Sequence, residues 1–403
     1  MSERIAITGL GIISAIGDNV QQNLSSLRAK YSGIGQIKYL ETIHKGNLPI
    51  AEVKHSDKEL LQLLGIAEDT GYTRTALLGM IAAKEAFDNS GAKKGDGIRT
   101  ALISATTVGG MGSTEKFYLD YINLEKKGDF EKYVDAHDCG DSAEKIADSL
   151  GIKDFITSIN TACSSSANAL MLGARLIKHG IVDRVIAGGV DPLTKFTVNG
   201  FNTLMILDKE YCKPFDKNRT GLTLGEGSGF VVLEKLQTAQ QNGKQIYCEL
   251  TGYANTCDAY HQTASSPEGT GAFLSMSNAL ALSGLKIEDI DYVNVHGTAT
   301  QINDLSEGNA MLKFFEGRVP KFSSTKGYTG HTLGAAGGIE AVFSALSIHT
   351  NTIFPNLNFK EKMDEFDLVP VTEVLENAGV RNVLSNSFGF GGNNTSLIFS
   401  KVE

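Results

Sequence analysis

Short runs of apolar, β-branched residues alternate along this chain with longer stretches in which apolar positions recur every three or four residues. The runs at 5–8, 101–105, 155–159 and 184–187 read as strands with both faces covered. The stretches at 76–89 and 163–179 read as helices. Strand and helix in alternation predict an α/β protein with largely buried sheets. Segment 110–141 breaks the pattern. It is polar, aromatic and irregular, and is expected to be a surface excursion or a subunit contact.

A weak repeat overlies this alternation. Ile5-Ala6-Ile7-Thr8-Gly9-Leu10-Gly11 is echoed by Cys248-Glu249-Leu250-Thr251-Gly252-Tyr253-Ala254. The small-residue helix after Cys163 is echoed by 330–346, and a glycine-rich hairpin at 224–233 by 388–399. Three echoes in one order predict a duplicated α/β unit, with halves at 1–246 and 247–403. Arg4 followed by the apolar stretch 5–17 imitates an export signal. Thr8 and three glycines interrupt that stretch, and Ser14-Ala15-Ile16-Gly17 reads as a turn, so a buried first strand is expected. No apolar run approaches the ~20 residues of a membrane-spanning helix.

Composition narrows the classes. The 403 residues are 41% hydrophobic and 21% charged, ordinary for a globular protein. A net charge of −9 argues against general nucleic-acid binding and against anchoring on anionic lipid. The cysteines at 139, 163, 212, 248 and 257 are too scattered for a disulfide framework and lack zinc-site spacing. Reduced thiols and a cytoplasmic location are expected. Gly9-Leu10-Gly11 carries Ser14 where a dinucleotide fingerprint needs glycine, and no glycine loop is followed by a phosphate-binding lysine. No cofactor and no metal are predicted.

The segment Asn160-Thr161-Ala162-Cys163-Ser164-Ser165-Ser166-Ala167 sets one thiol at the mouth of a helix, directly after a strand. Unpaired N–H groups and a partial positive charge at a helix start favour a thiolate. Taken alone, the residue fits a nucleophile or a small buried core cysteine equally. Three further motifs accompany it: Val295-His296-Gly297-Thr298-Ala299-Thr300, the run from Thr325-Lys326 through Gly330-His331 to Gly337, and Asn386-Ser387-Phe388-Gly389-Phe390-Gly391-Gly392-Asn393-Asn394.

In this order the four motifs resemble those of the β-ketoacyl-[acyl-carrier-protein] synthases. These are condensing enzymes of the thiolase-like superfamily, and the type II elongating members are the most similar. The resemblance covers essentially the whole chain. It implies two homologous halves stacked as α-β-α-β-α layers, and a decarboxylative Claisen condensation in which Cys163 holds the acyl group. His296 and His331 would donate N–H to the malonyl thioester carbonyl, and a buried Lys326 would set the charge pattern. Glu307 is the expected acidic partner of Lys326, with Asp304 as second choice. Backbone N–H groups of Cys163 and Phe390 would form the oxyanion hole, with Phe390 as a gate and Phe388 in support. Val108 and Phe201 are candidates for the acyl pocket.

The implied partner is an acyl carrier protein bearing phosphopantetheine. The implied assembly is a dimer across the strand beside the nucleophile, either a homodimer or a heterodimer with a chain-length-factor-like subunit lacking the cysteine. Two departures stand out. Glu68 and Asp69 are acidic, and Arg74 is almost alone, where the family places basic docking residues; Gly327-Tyr328 and Asn393-Asn394 are variant motif neighbours. Together they suggest a specialised polyene or polyketide-like pathway. Rival readings are a thiolase acting on coenzyme A, a cysteine hydrolase and a non-catalytic scaffold. A thiolase needs a second catalytic cysteine late in the chain, and none follows Cys257. A hydrolase needs an Asn or Asp orienter that no motif supplies.

Overall fold

The computed structural model describes residues 3–67 and 71–403. Ten strands form one hydrogen-bonded sheet. In chain order they are β1 (Ile5–Ser14), β2 (Thr100–Ala105), β3 (Phe155–Ile159), β4 (Arg184–Asp191), β5 (Gly227–Lys235), β6 (Cys248–Cys257), β7 (Tyr292–Asn294), β8 (Lys321–Ser323), β9 (Asn382–Gly389) and β10 (Asn393–Ser400). Across the sheet they run β8-β7-β9-β10-β6-β1-β5-β4-β2-β3.

That order is two like sets of five strands placed back to back. In each set three strands run parallel, β3-β2-β4 and β8-β7-β9. Two more close it antiparallel: β5 and β1 in the first set, β10 and β6 in the second. The sets join only where β1 meets β6, through Ala6 opposite Glu249 and Ile7 opposite Cys248. The sequence echoes occupy matching places, β1 with β6 at the centre and β5 with β10 beside them.

The helices that position the site are α1 (Arg74–Asn89), α2 (Met111–Tyr121), α3 (Gly140–Leu150), α4 (Ser165–Lys178), α5 (Lys195–Thr203), α6 (Thr270–Ser283), α7 (Gln301–Phe314) and α8 (Ala336–Thr350). α4 and α8 touch each other and strands of both sets, so they form the middle layer. α1 and α3 cover the outer face of the first set; α6, backed by α7, covers the second. Five layers result. α8 is buried without a break from Ala336 to Ile348, as a helix packed between the two strand sets must be, and its sequence is accordingly apolar nearly all round.

Gly9 and Gly11 are packing devices rather than phosphate binders. A Cβ at Gly9 would lie 2.2 Å from Ala86 O, and one at Gly11 2.0 Å from Ala82 O, so their absence lets α1 rest on β1. β1 is a strand buried over its whole length. Among the described residues no helix is long and apolar enough to cross a membrane.

Three expectations need correction. α4 begins at Ser165, two residues after Cys163. Segment 110–141 is not irregular: it carries α2 and two 3₁₀ turns. No α2 residue is buried, so apolar periodicity could not reveal it. Its order comes from aromatic packing, with Phe117 stacked on Tyr133 at 5.4 Å and Tyr121 edge-on to Phe130 at 5.5 Å. Finally, 224–233 is not a hairpin. β5 begins at Gly227 and pairs with β4 and β1, while Leu224 bridges to His331. Only 388–399 turns back on itself, as β9 and β10.

Candidate active site

Cys163 is reached by running out of β3 through a turn in which Ala162 takes a φ of 53°. Left-handed backbone costs an alanine about 1–2 kcal/mol. Small polar side chains hold the turn against that cost: Thr161 N–H donates to Ser165 Oγ at 2.8 Å, and Asn168 Nδ2 to Thr161 Oγ1 at 2.8 Å. Ser166 Oγ then accepts Gly338 N–H at 2.8 Å, tying α4 to α8.

Cys163 itself is 5% exposed. The backbone N–H groups of Phe390 and of Cys163 point at its sulfur, and His331 Nε2 lies 3.1 Å from it. The expectation of a helix-stabilised thiolate is not met. Burial outweighs both N–H groups and the charge of Lys326, and the thiol is pushed up to about 11. The resting group is a thiol with an imidazole in contact.

His331 is fixed through its backbone, which donates to Thr223 O at 2.7 Å and accepts from Gly225 N at 3.0 Å. His296 follows β7 in a loop held from α7, where Glu307 accepts the N–H of His296 and of Gly297, each at 2.8 Å. The two rings stand edge to face with centroids 5.3 Å apart. Both imidazoles are held well below their usual range, by burial first and then by the charge of Lys326, so both are neutral near pH 7.

Lys326 is 2% exposed, and its Nζ lies 2.5 Å from Glu340 Oε1 and 3.5 Å from His296 Nδ1. An ammonium can only donate, so His296 Nδ1 accepts and its proton sits on Nε2. His331 Nδ1 has no hydrogen-bond partner among the described residues.

Glu307 and Asp304 are therefore not the partners of Lys326. Glu307 is occupied by the two loop N–H groups and Asn386, and burial raises it to about 7. Asp304 accepts the N–H of Phe215 at 2.7 Å and of Ala299 at 3.1 Å. Both carboxylates shape backbone. The true partner, Glu340, escaped the sequence reading, although one carboxylate in an apolar buried helix must be paired and was a usable signal.

Cys163, His296 and His331 line one cavity of about 430 Å³, while Lys326 meets His296 from behind its wall. Phe388 lines it too, its ring 5.9 Å from that of His296. In the same wall Phe390 stacks on Phe201 at 5.6 Å, and the following Gly391 and Gly392 take φ of 78° and 81°. Val108 does not line the cavity. It is buried behind the wall, clustered with Leu222, Leu333 and the partly buried Phe201. Among the described residues no group of His, Cys, Asp or Glu side chains is arranged to hold a metal ion.

Sequence comparison decides the family. The N-terminal domain profile of β-ketoacyl synthases matches residues 2–239 and the C-terminal domain profile residues 247–360. The chain belongs to the β-ketoacyl synthase family. Its members are condensing acyltransferases, and the chain is 33% identical to 3-oxoacyl-[acyl-carrier-protein] synthase 2 of Staphylococcus aureus strain N315, covering 100% of this chain and 99% of that protein. It is also 33% identical to the protein of the same name in Coxiella burnetii, over 99% of each. Among solved structures, the ishigamide ketosynthase/chain length factor superposes with a TM-score of 0.90 at 28% identity over 100% of both chains. The ketosynthase ApeO, in complex with its chain length factor ApeC from Xenorhabdus doucetiae, gives a TM-score of 0.83 at 29% identity, over 99% of this chain and 98% of that one.

Proposed function

We propose that this β-ketoacyl synthase is a 3-oxoacyl-[acyl-carrier-protein] synthase in which Cys163, His296, His331 and Lys326 carry the chemistry. One observation bears most of the weight: a buried thiol and two neutral imidazoles share one cavity, with the Lys326–Glu340 pair beneath them.

In the first half-reaction Cys163 Sγ attacks the acyl carbonyl of a carrier thioester. Its proton passes to His331 Nε2, and from there to the departing pantetheine sulfur. The new S–C bond replaces the old one. In the second, malonyl carrier loses carbon dioxide, and His296 Nε2–H and His331, whose proton moves from Nδ1 to Nε2 by exchange with solvent once Cys163 is acylated, donate to its thioester carbonyl as the enolate charge grows. The enolate carbon then attacks the acyl carbonyl on Cys163, where the N–H groups of Cys163 and Phe390 receive the oxyanion. The sulfur leaves as thiolate and regains a proton from solvent through His331. Neither half-reaction calls on a cofactor.

The partner in this reading is an acyl carrier protein. Arg74 is not the docking contact, because it is spent on Glu226 at 2.6 Å and Asp57 at 2.7 Å; Glu68 and Asp69 lie outside the described residues. A dimer would form at the edge strand β3, half-buried and leading straight to Cys163. A chain-length-factor-like partner fits as well as a second copy, because the ishigamide and ApeO likenesses are to ketosynthases described with chain length factors; the reading extends to a specialised lipid pathway in the cytoplasm.

Incubation with acyl carrier should give an acyl adduct at Cys163, seen by mass spectrometry, that water leaves intact and malonyl carrier removes. An adduct hydrolysed without malonyl carrier would point to a hydrolase instead.

A further inference from the structure

Asp191 ends β4 with its side chain wholly buried. Five neutral donors hold its carboxyl group. Oδ1 accepts Thr106 Oγ1 (2.7 Å), Thr107 N (2.9 Å) and Val108 N (3.1 Å). Oδ2 accepts Thr107 Oγ1 (2.6 Å) and Gly334 N (2.7 Å). Three of these donors are backbone N–H groups that cannot turn to accept, which suits an anion.

The donors belong to two separate segments. Residues 106–108 leave β2, and Gly334 lies three residues past His331, just after Leu333 at a left-handed φ of 52°. The side chains of the same two segments, Val108 and Leu333, pack in one apolar cluster with Leu222 and Phe201, which line the cavity holding Cys163. One carboxylate thus ties a segment packed behind the cavity's apolar wall to the turn that carries His331. The fit is close: a Cβ on Gly334 would come within 2.9 Å of Asp191 Oδ2.

We infer that Asp191 is a positioning residue, clamping the segment that backs the apolar wall of the cavity to the turn that carries His331, so that chain-length acceptance and the alignment of His331 with Cys163 are set together. This rests on the synthase reading for its kinetic consequence, but not for its geometric one. Its negative charge also faces Cys163 and opposes ionisation there, against Lys326 and the N–H groups of Phe390 and Cys163, with His331 in contact.

The Asp191→Asn variant keeps the size but turns a donor toward Gly334 N–H or Thr107. Its kcat should fall on the order of tenfold to a hundredfold, with KM for the carrier unchanged, because misplacing a catalytic group acts on the chemical step. Its primer-length profile should broaden. Iodoacetamide alkylation of Cys163, followed against pH, should shift its midpoint downward. Should Asp191→Asn not fold, Thr107→Val removes a single hydroxyl donor and should move kcat and primer range the same way by less, with Thr107→Ser restoring both. Wild-type kcat and primer range in folded Asp191→Asn, or identical behaviour of Thr107→Val and Thr107→Ser, would overturn the inference. If the wild type condenses nothing, the synthase reading fails on its own. The alkylation midpoint still decides on Asp191, an unchanged value counting against it.

Discussion

The two five-strand sets share one plan and differ in what they hold. In the first, the turn before α4 presents Cys163 among serines and threonines, all neutral. In the second, the turn before α8 presents His331, and the same region buries a full ion pair, Lys326 with Glu340. Facing helix mouths across a middle layer thus divide the labour: one side offers a proton and a sulfur, the other offers proton carriers and charge. The asymmetry is physically sensible. Both rings are kept neutral by burial and by the ammonium, so they can donate without being lost as imidazolium, while Glu340 keeps the ammonium tolerable in a dry interior.

Breaking the second set should cost most. His296→Ala and His331→Ala should each lower condensation by roughly two to three decades, the usual loss for one oxyanion donor, measured as kcat with malonyl carrier. Equal, small losses in both would dissolve the division of labour. Next comes the ion pair. Lys326→Met strands Glu340 and should reduce stability by about 3–5 kcal/mol in urea unfolding, with much of that recovered when Glu340→Gln is added. Failure of the second change to restore anything would show the two groups are not coupled.

The smallest effect sharpens the first set. The thiol is raised to about 11, so its thiolate fraction grows with pH and alkylation of the free protein should climb without levelling off through pH 9. Lys326 lowers that value, so Lys326→Met should move the midpoint up. A plateau already at pH 8 would mean the sulfur rests as thiolate.

The reacting groups could be read from the sequence because each sits in a short motif whose neighbours are glycine, serine or threonine. Their supports could not. Glu340 lies 14 residues beyond Lys326 on another element and meets it only because α8 runs back under the site. Glu307 and Asp304 looked suitable from their place beside the His296 motif, yet open backbone N–H groups in that loop claim both. Likewise, the helix mouth at Cys163 suggested an ionised sulfur, but the depth of burial that reverses this is set by the packing of both sets. α2 escaped notice for the opposite reason, having no buried face to create a period.

The most direct test separates the two halves of the chemistry in time. His296→Ala protein, loaded with acyl carrier, should form the Cys163 adduct as the wild type does and then keep it when malonyl carrier is added, read by intact-protein mass. An adduct consumed at the wild-type rate would contradict the assignment of enolate stabilisation to the imidazole pair.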